Sequence, residues 1–403
     1  MVSLAALKSC ATTALPVAQA FTIRGAIKNF EFGIQNSGHA FLIPNSKFLI
    51  SEHTPGPAQT TATTTTTETR PSFSEWLAGV RAEALSRGVR QEIVDEALSN
   101  IDEPMPVILE RDRAQAETVF ALEKYVSRRL TPKFMKTARE KYASQRALVD
   151  EIGERYGVPP RIIAAIWGVE SNFGRFSGVR PTITALATLA WDPRRAAFFR
   201  GELFQALEIL NRGDIDFPRM RGSWAGAMGQ PQFMPSSYLQ FAEDYDGDGR
   251  RDIWSTPGDV FASIANYLKG RGWKAGETWG REVKVTPETA RTIVNDVERR
   301  NGTCQATRNM TVALPAKRWQ QLGVRSVNGK PLPEDIPNGA LVSGTKQHYL
   351  VFPSYDAILD YNCSHSYAIT VGLLADRLAA AAPTKHSSPK KSSSPRRTRG
   401  TRG

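Results

Sequence analysis

Ile162-Ile163-Ala164-Ala165-Ile166-Trp167-Gly168-Val169-Glu170-Ser171-Asn172-Phe173-Gly174 reads as an apolar helix that ends in a single acid. Val158-Pro159-Pro160 supplies its start, because proline is tolerated in a first helical turn, and Gly174 is the expected stop, because glycine takes the left-handed closing conformation freely. The pattern predicts a helix over 160–172. Within it Ile163, Trp167 and Glu170 recur at i, i+4 and i+7, and Ile162, Ile166 and Val169 repeat that spacing one residue earlier. Glu170 therefore shares an edge with the Trp167 indole. Burial there disfavours the charged carboxylate and raises its pKa toward neutrality, which makes Glu170 a candidate general acid. A glutamate at a helix end that simply reaches water is the other reading of this segment.

Working outward, Gly222-Ser223-Trp224-Ala225-Gly226-Ala227-Met228-Gly229-Gln230-Pro231-Gln232-Phe233-Met234-Pro235-Ser236-Ser237-Tyr238 is too irregular for a helix and too small for a conventional core. Such composition lets a backbone approach a ligand closely. Its glutamines and serines suit hydroxyl and acetamido groups, while Trp224, Phe233 and Tyr238 suit stacking on sugar rings. A structural turn packed under a neighbouring helix is the alternative.

Next comes Asp244-Tyr245-Asp246-Gly247-Asp248-Gly249-Arg250-Arg251-Asp252-Ile253-Trp254. Oxygen donors at positions 1, 3, 5 and 9 and glycine at position 6 match the first part of an EF-hand loop, where the chain wraps a hard cation. Position 12 is Ser255 where a bidentate glutamate is usual, so a calcium site here recruits Asp259, uses water or binds weakly. An acidic turn without metal remains the alternative.

Helical spacing or boundaries mark 73–85, 91–98, 132–156, 160–172, 193–210 and 258–270, with a last helix over 366–380. Strand-like runs are fewer: Val283 to Val285, Met310 to Val312 and Tyr349 to Phe352. The fold class is therefore mainly α (α+β), a helical body over 72–380 with a small β-containing insertion near 280–353. The chain has 403 residues and is 41% hydrophobic, enough for a sizeable core.

The flanks differ from this body. Residues 1–71 read as a targeting and low-complexity linker, with a small apolar stretch from Ala5 to Ala20 interrupted by Lys8 and a threonine run from Thr63 to Thr67. Residues 381–403 form a basic tail carrying Lys385, Lys390, Lys391, Arg396, Arg397, Arg399 and Arg402 and no acid, which accounts for seven charges of the net +12. That concentration reads as an electrostatic tether to anionic envelope polymer or lipid headgroups, with a solubilising tail as the alternative. No helix-turn-helix, zinc ligand set or aromatic-basic sheet pattern argues for nucleic acid. No stretch has eighteen uninterrupted apolar residues, so no spanning helix is expected.

Of three cysteines, Cys304 and Cys363 remain as a candidate pair once Cys10 is set aside. Their bridge would imply export to an oxidising compartment; two separate buried thiols are the alternative.

Val169-Glu170-Ser171-Asn172-Phe173-Gly174, the glycine-rich stretch, the acidic loop, Ala265-Asn266-Tyr267-Leu268 and Tyr361-Asn362 together resemble, in consistent order, the membrane-bound lytic murein transglycosylase B family (glycoside hydrolase family 103). The resemblance implies a lysozyme-like helical fold with an EF-hand-like calcium loop and a β-containing insertion. It implies non-hydrolytic cleavage of the β-1,4 bond between N-acetylmuramic acid and N-acetylglucosamine in peptidoglycan, leaving 1,6-anhydromuramoyl ends, in the periplasm or cell envelope. By motif match Glu170 is the acid/base, and Ser223, Trp224, Gln232, Tyr267, Tyr361 and Asn362 line the substrate cleft. Asp244, Asp246, Asp248, the Arg250 carbonyl and Asp259 match the ligands of a structural Ca2+, and no cofactor is required for the chemistry. The partners implied are peptidoglycan glycan strands, with the enzyme a monomer. A hydrolytic muramidase and a non-catalytic murein-binding protein are the alternatives.

Overall fold

Ser72 opens the first described helix, Phe73–Ser86, with a reciprocal cap: its side chain accepts from Glu75 N while the Glu75 carboxylate accepts from Ser72 N at 2.8 Å. The computed structural model describes residues 71–114 and 121–379. The N-terminal apolar stretch, the threonine run, Cys10 and the basic tail lie outside the described residues. Among the described residues are sixteen α-helices and six short strands. None of the described helices is long and apolar enough to cross a membrane.

Proline at a first helical turn recurs in Pro132–Ser144, Pro160–Ser171, Pro235–Phe241, Pro257–Gly270 and Pro287–Asp296. The helix expected over 132–156 is two helices, Pro132–Ser144 and Arg146–Tyr156, because Gln145 leaves helical geometry at φ −109°, ψ 10°. Thr182–Trp191 is a helix that periodicity misses: eight of its residues are buried, so no polar face marks it. It packs on Ala196–Arg212, while Pro160–Ser171 packs on His365–Ala379 and on Pro257–Gly270. Ile163, Leu186, Phe199, Phe261 and Ile369 are fully buried where these helices meet. Truncating any one to alanine should cost about 2–5 kcal/mol, the price of lost transfer energy plus a cavity in a close-packed interior.

Strands β1 (Arg180–Pro181) and β2 (Arg221–Gly222) pair antiparallel beside the body. β3 (Gly280–Lys284), β4 (Arg325–Ser326), β5 (Ala340–Ser343) and β6 (His348–Val351) form an antiparallel sheet in the order β4-β3-β6-β5. Period-2 alternation sends Val283, Leu341 and Leu350 to one face, where they meet Trp319, Ile293 and Phe352 in a small core of their own. Met310 to Val312, expected as a strand, makes only a single bridge, Arg299 to Thr311; Thr311 Oγ1 instead accepts from Leu341 N at 2.8 Å. Cys304 and Cys363 are bonded with their Cα atoms 5.9 Å apart, which ties the insertion to the segment before the last helix. Arg300 adds a bidentate pair to Asp356 at 2.9 and 3.0 Å.

Candidate active site

Glu170 is the penultimate residue of Pro160–Ser171, and every residue from Ile162 to Ser171 is buried. Gly174 is not the sole closing residue. Asn172 at φ 51° and Phe173 at φ 60° already occupy the left-handed region, a strain of order 1–3 kcal/mol each. Packing offsets it: Phe173 is buried, stands edge-on to Trp167 at 5.3 Å, and lies where a side chain on Gly168 would be.

Glu170 as a residue is 9% exposed, and its Oε1 accepts from Tyr367 Oη at 2.6 Å. Burial pushes its pKa up to about 7, against the opposing pull of the Tyr367 hydrogen bond and the Arg129 charge. Burial also holds Tyr367 well above the ordinary phenol range, so it is a neutral donor. With Oε1 engaged, Oε2 is the oxygen left to carry an exchangeable proton.

The Trp167 indole is committed elsewhere: its Nε1 donates to Gln230 Oε1 at 2.7 Å, and its rings meet Phe173 and Phe261. A buried indole N–H needs an acceptor, and Gln230 supplies it. The groups that feel the Glu170 charge are instead tyrosines, namely Tyr125, Tyr267, Tyr361 and Tyr367. Arg129 donates to the carbonyl of Val169, the residue before the acid.

Tyr361 joins this cluster to the glycine-rich loop. Its Oη donates to Pro231 O at 2.7 Å, and its ring stacks on Tyr367 at 6.4 Å and lies 4.6 Å from Tyr267. Tyr267 in turn donates to Asp360 O at 2.8 Å. Gln232, in the same loop, is buried at φ 55° with Nε2 donating to Gly229 O at 2.7 Å. Ser223 closes the start of the loop, its Oγ accepting from Ala225 N and Ala227 N at 3.2 and 3.1 Å. Trp224 is 7% exposed, which leaves little ring face for a ligand, and Asn362 is buried beside Tyr361. Phe233 and Tyr238, expected as sugar platforms, are core residues: Phe233 packs on Tyr267 and Tyr361, and Tyr238 donates to Arg251 O at 2.7 Å.

Tyr367, Tyr125 and Arg129 are site residues that the sequence reading missed, and Gln230, expected to meet sugar groups, is instead hydrogen-bonded to Trp167 Nε1 and Trp254 O. Tyr367 did carry a signal, since it recurs with Val371 and Leu374 at i, i+4 and i+7 on the buried face of the last helix. The pairing with Glu170, across 197 residues, has no local signature.

Beyond the loop, carboxylate oxygens of Asp244, Asp246 and Asp259 lie within 4.8 Å of one another. Asp259 is fully buried and accepts from Tyr245 N and Asp252 N, each at 2.8 Å. Its pKa is pushed up to about 6, chiefly by burial, with the Asp246 and Asp244 charges adding to it against those two hydrogen bonds. Asp248 stands outside this cluster, and its Oδ1 accepts from Arg250 N at 2.8 Å. The Arg250 guanidinium lies 3.9 Å from Asp216.

Residues 72–376 match the model of the transglycosylase SLT domain family. The chain belongs to that family. Over 230 residues it is 37% identical to membrane-bound lytic murein transglycosylase B of Escherichia coli (strain K12), covering 56% of this chain and 58% of that protein, so it spans less than two thirds of that relative. Its SLT domain is similar to SltB3 from Pseudomonas aeruginosa, solved in complex with NAG-anhNAM-pentapeptide, with TM-score 0.68, 38% identity, and 76% and 80% of the two chains covered. It is also similar to the Escherichia coli lytic transglycosylase Slt35 solved in complex with calcium, with TM-score 0.63, 28% identity, and 76% and 93% covered. The family match spans the helical body and the β-containing part together, and the mainly helical architecture is that of the lytic transglycosylases.

Proposed function

We propose that this chain cleaves the β-1,4 bond between N-acetylmuramic acid and N-acetylglucosamine in peptidoglycan by lytic transglycosylation, with Glu170 as its single acid and base. The observation that carries this reading is the buried Glu170 carboxyl, held by Tyr367 and poised near pH 7 with no second carboxylate among the groups that shift it. Neutral Glu170 delivers the proton on Oε2 to the departing oxygen of N-acetylglucosamine as positive charge grows at the muramoyl anomeric carbon. The substrate's acetamido oxygen stabilises that carbon, which removes the need for a protein nucleophile. Ionised Glu170 then takes the proton of the C6 hydroxyl, whose oxygen closes the anhydro ring. An internal nucleophile avoids recruiting water, an advantage of roughly 7–11 kcal/mol when alignment is good.

Tyr361, which feels the Glu170 charge, and Asn362 after it would contact the sugar, and Gln232 Oε1 and the Ser223 hydroxyl proton are the loop atoms that would meet sugar N–H and O–H groups. Asp244, Asp246 and Asp259 suit a hard divalent cation, because three carboxylate oxygens already converge at a loop anchored on buried Asp259. Calcium, when bound, would supply structural pinning of the segment between the glycine-rich loop and the Tyr267 helix. Asp248 and the Arg250 carbonyl would complete the set. The Cys304–Cys363 bridge supports export to an oxidising compartment, and the chain would act on glycan strands as a monomer in the periplasm or cell envelope.

Purified murein sacculi digested with the wild type and with Glu170→Gln provide the test, with products read by mass spectrometry. Anhydro ends, one water lighter than reducing ends, are expected from the wild type and no turnover from the variant. Reducing ends from the wild type would make it a hydrolytic muramidase. Undiminished turnover by Glu170→Gln would remove the acid assignment altogether.

A further inference from the structure

The Leu122–Arg129 helix packs on the last helix and presents Tyr125 and Arg129 to Glu170 from one side. Tyr361 and Tyr367 reach it from the segment 355–379. The β insertion touches both of these walls. At one end, the Cys304–Cys363 bond and the Arg300–Asp356 pair fix it to the segment that carries Tyr361 and Tyr367. At the other end the turn between β5 and β6 closes on Glu123, which sits on the same helix as Tyr125 and Arg129.

That closure is specific. The Glu123 carboxylate accepts from Thr345 Oγ1 at 3.0 Å, Lys346 N at 2.7 Å and Gln347 N at 3.1 Å. Gly344, whose N–H donates to Gln347 O at 2.8 Å to close the turn, stands where any side chain would collide with the Glu123 carboxylate. Partial burial works to raise the pKa of Glu123, but the converging N–H donors outweigh it and hold the group at about 2, so the contact is ionised at every working pH. A carboxylate with three donors and a glycine that makes room for it is a fitted joint between two parts of the fold.

We propose that Glu123 is a positioning residue for the reaction: by clasping the β5–β6 turn it lets the insertion bracket the two walls and keeps the Tyr125–Arg129 wall closed over Glu170. The inference rests on the reading of Glu170 as the acid. The groups that face Glu170 are Tyr125 and Arg129 from one helix, Tyr367 from the last helix, Tyr361 from Tyr355–Tyr361 and Tyr267 from Pro257–Gly270. Opening the first wall admits water to the carboxyl. Burial is the largest influence holding its proton, so the net effect is a weaker hold, and retreat of Arg129 offsets only part of it.

The test compares wild type, Glu123→Ala and Gly344→Ala, the second of which breaks the joint while keeping the Glu123 charge. The Glu170 ionisation is read directly by carbon-13 carboxyl NMR, assigned with Glu170→Gln, and the pH profile of kcat on murein is measured beside it. Both variants should show faster amide exchange at Lys346 and Gln347. Both should also show a Glu170 titration and an alkaline limb of kcat moved down by about one pH unit, a tenfold loss of proton affinity. Glu123→Gln, which keeps the shape and one acceptor oxygen, should fall between and covers the case in which Glu123→Ala fails to fold. Faster exchange with an unmoved titration would make Glu123 merely structural, and unchanged exchange in Glu123→Ala would remove the clasp; either overturns the proposal. A wild type that cuts no murein would refute the proposed activity while leaving the NMR comparison able to decide the positioning.

Discussion

Glu170→Gln should stabilise the protein above neutral pH and not in acid. In the folded chain burial raises the Glu170 pKa from its ordinary 4.5 to about 7. Between those values the folded state binds more protons than the unfolded state, so folding stability falls as pH rises. The contribution of this one group is fully present below about pH 4.5 and is lost as pH passes through about 7. At 1.36 kcal/mol per unit, the shift makes the ionised carboxylate a liability of roughly 3 kcal/mol at pH 8. Glutamine does not titrate. It still offers Oε1 to the Tyr367 hydroxyl, and whatever its second amide atom costs is independent of pH. Variant minus wild type should therefore climb by roughly 3 kcal/mol from pH 4.5 to pH 8, or about 5 °C or more in Tm for a body of this size. Thermal melts of both proteins at matched pH, with calcium fixed so that the acidic loop cancels in the difference, read it out. A difference that stays flat across that window would mean that Glu170 is solvated, and the general-acid argument would fall with it.

Tyr367→Phe removes a 2.6 Å hydrogen bond that favours the ionised acid. The Glu170 pKa should rise by about one unit, the lower end of what a bond to a charged group is worth, and the alkaline limb of kcat/KM should move up with it; an unmoved limb would refute the role of Tyr367. Chelator should lower the Tm of the wild type and added calcium should restore it, whereas Asp259→Asn should lose that response, because two of its oxygens already organise the acidic loop. A wild-type melt indifferent to calcium from micromolar to millimolar concentrations would reject a cation at Asp244, Asp246 and Asp259.

The reading of local sequence succeeded where local sequence carries the cause. Proline starts and apolar spacing place Pro160–Ser171 and Pro257–Gly270 to within a residue or two, because each helix end is chosen by its own few residues. Thr182–Trp191 escaped because a helix buried all round has no amphipathic period. The end of the Glu170 helix also departed from the expected glycine stop. What holds Phe173 at positive φ is its packing against Gly168 and Trp167, a gain that no propensity scale contains. Phe233 and Tyr238 looked like exposed platforms because an aromatic in an irregular stretch gives no indication of which side the rest of the fold covers.

The site divides along the same line. That Glu170 is an acid at the end of an apolar helix is legible, but its affinity for a proton is not a property of that helix. It is set first by burial, which raises it, and then by Tyr367 and Arg129, which pull against that rise and come from two other helices. The indole three residues away, the one neighbour that sequence could nominate, satisfies its own N–H on Gln230 instead. A helix can carry the carboxyl into the interior, yet only a closed coat of distant side chains can keep water off it. The joints that hold that coat, Cys304–Cys363, Arg300–Asp356 and the proposed Glu123 clasp on the β5–β6 turn, therefore bear on the acid through the side chains they position.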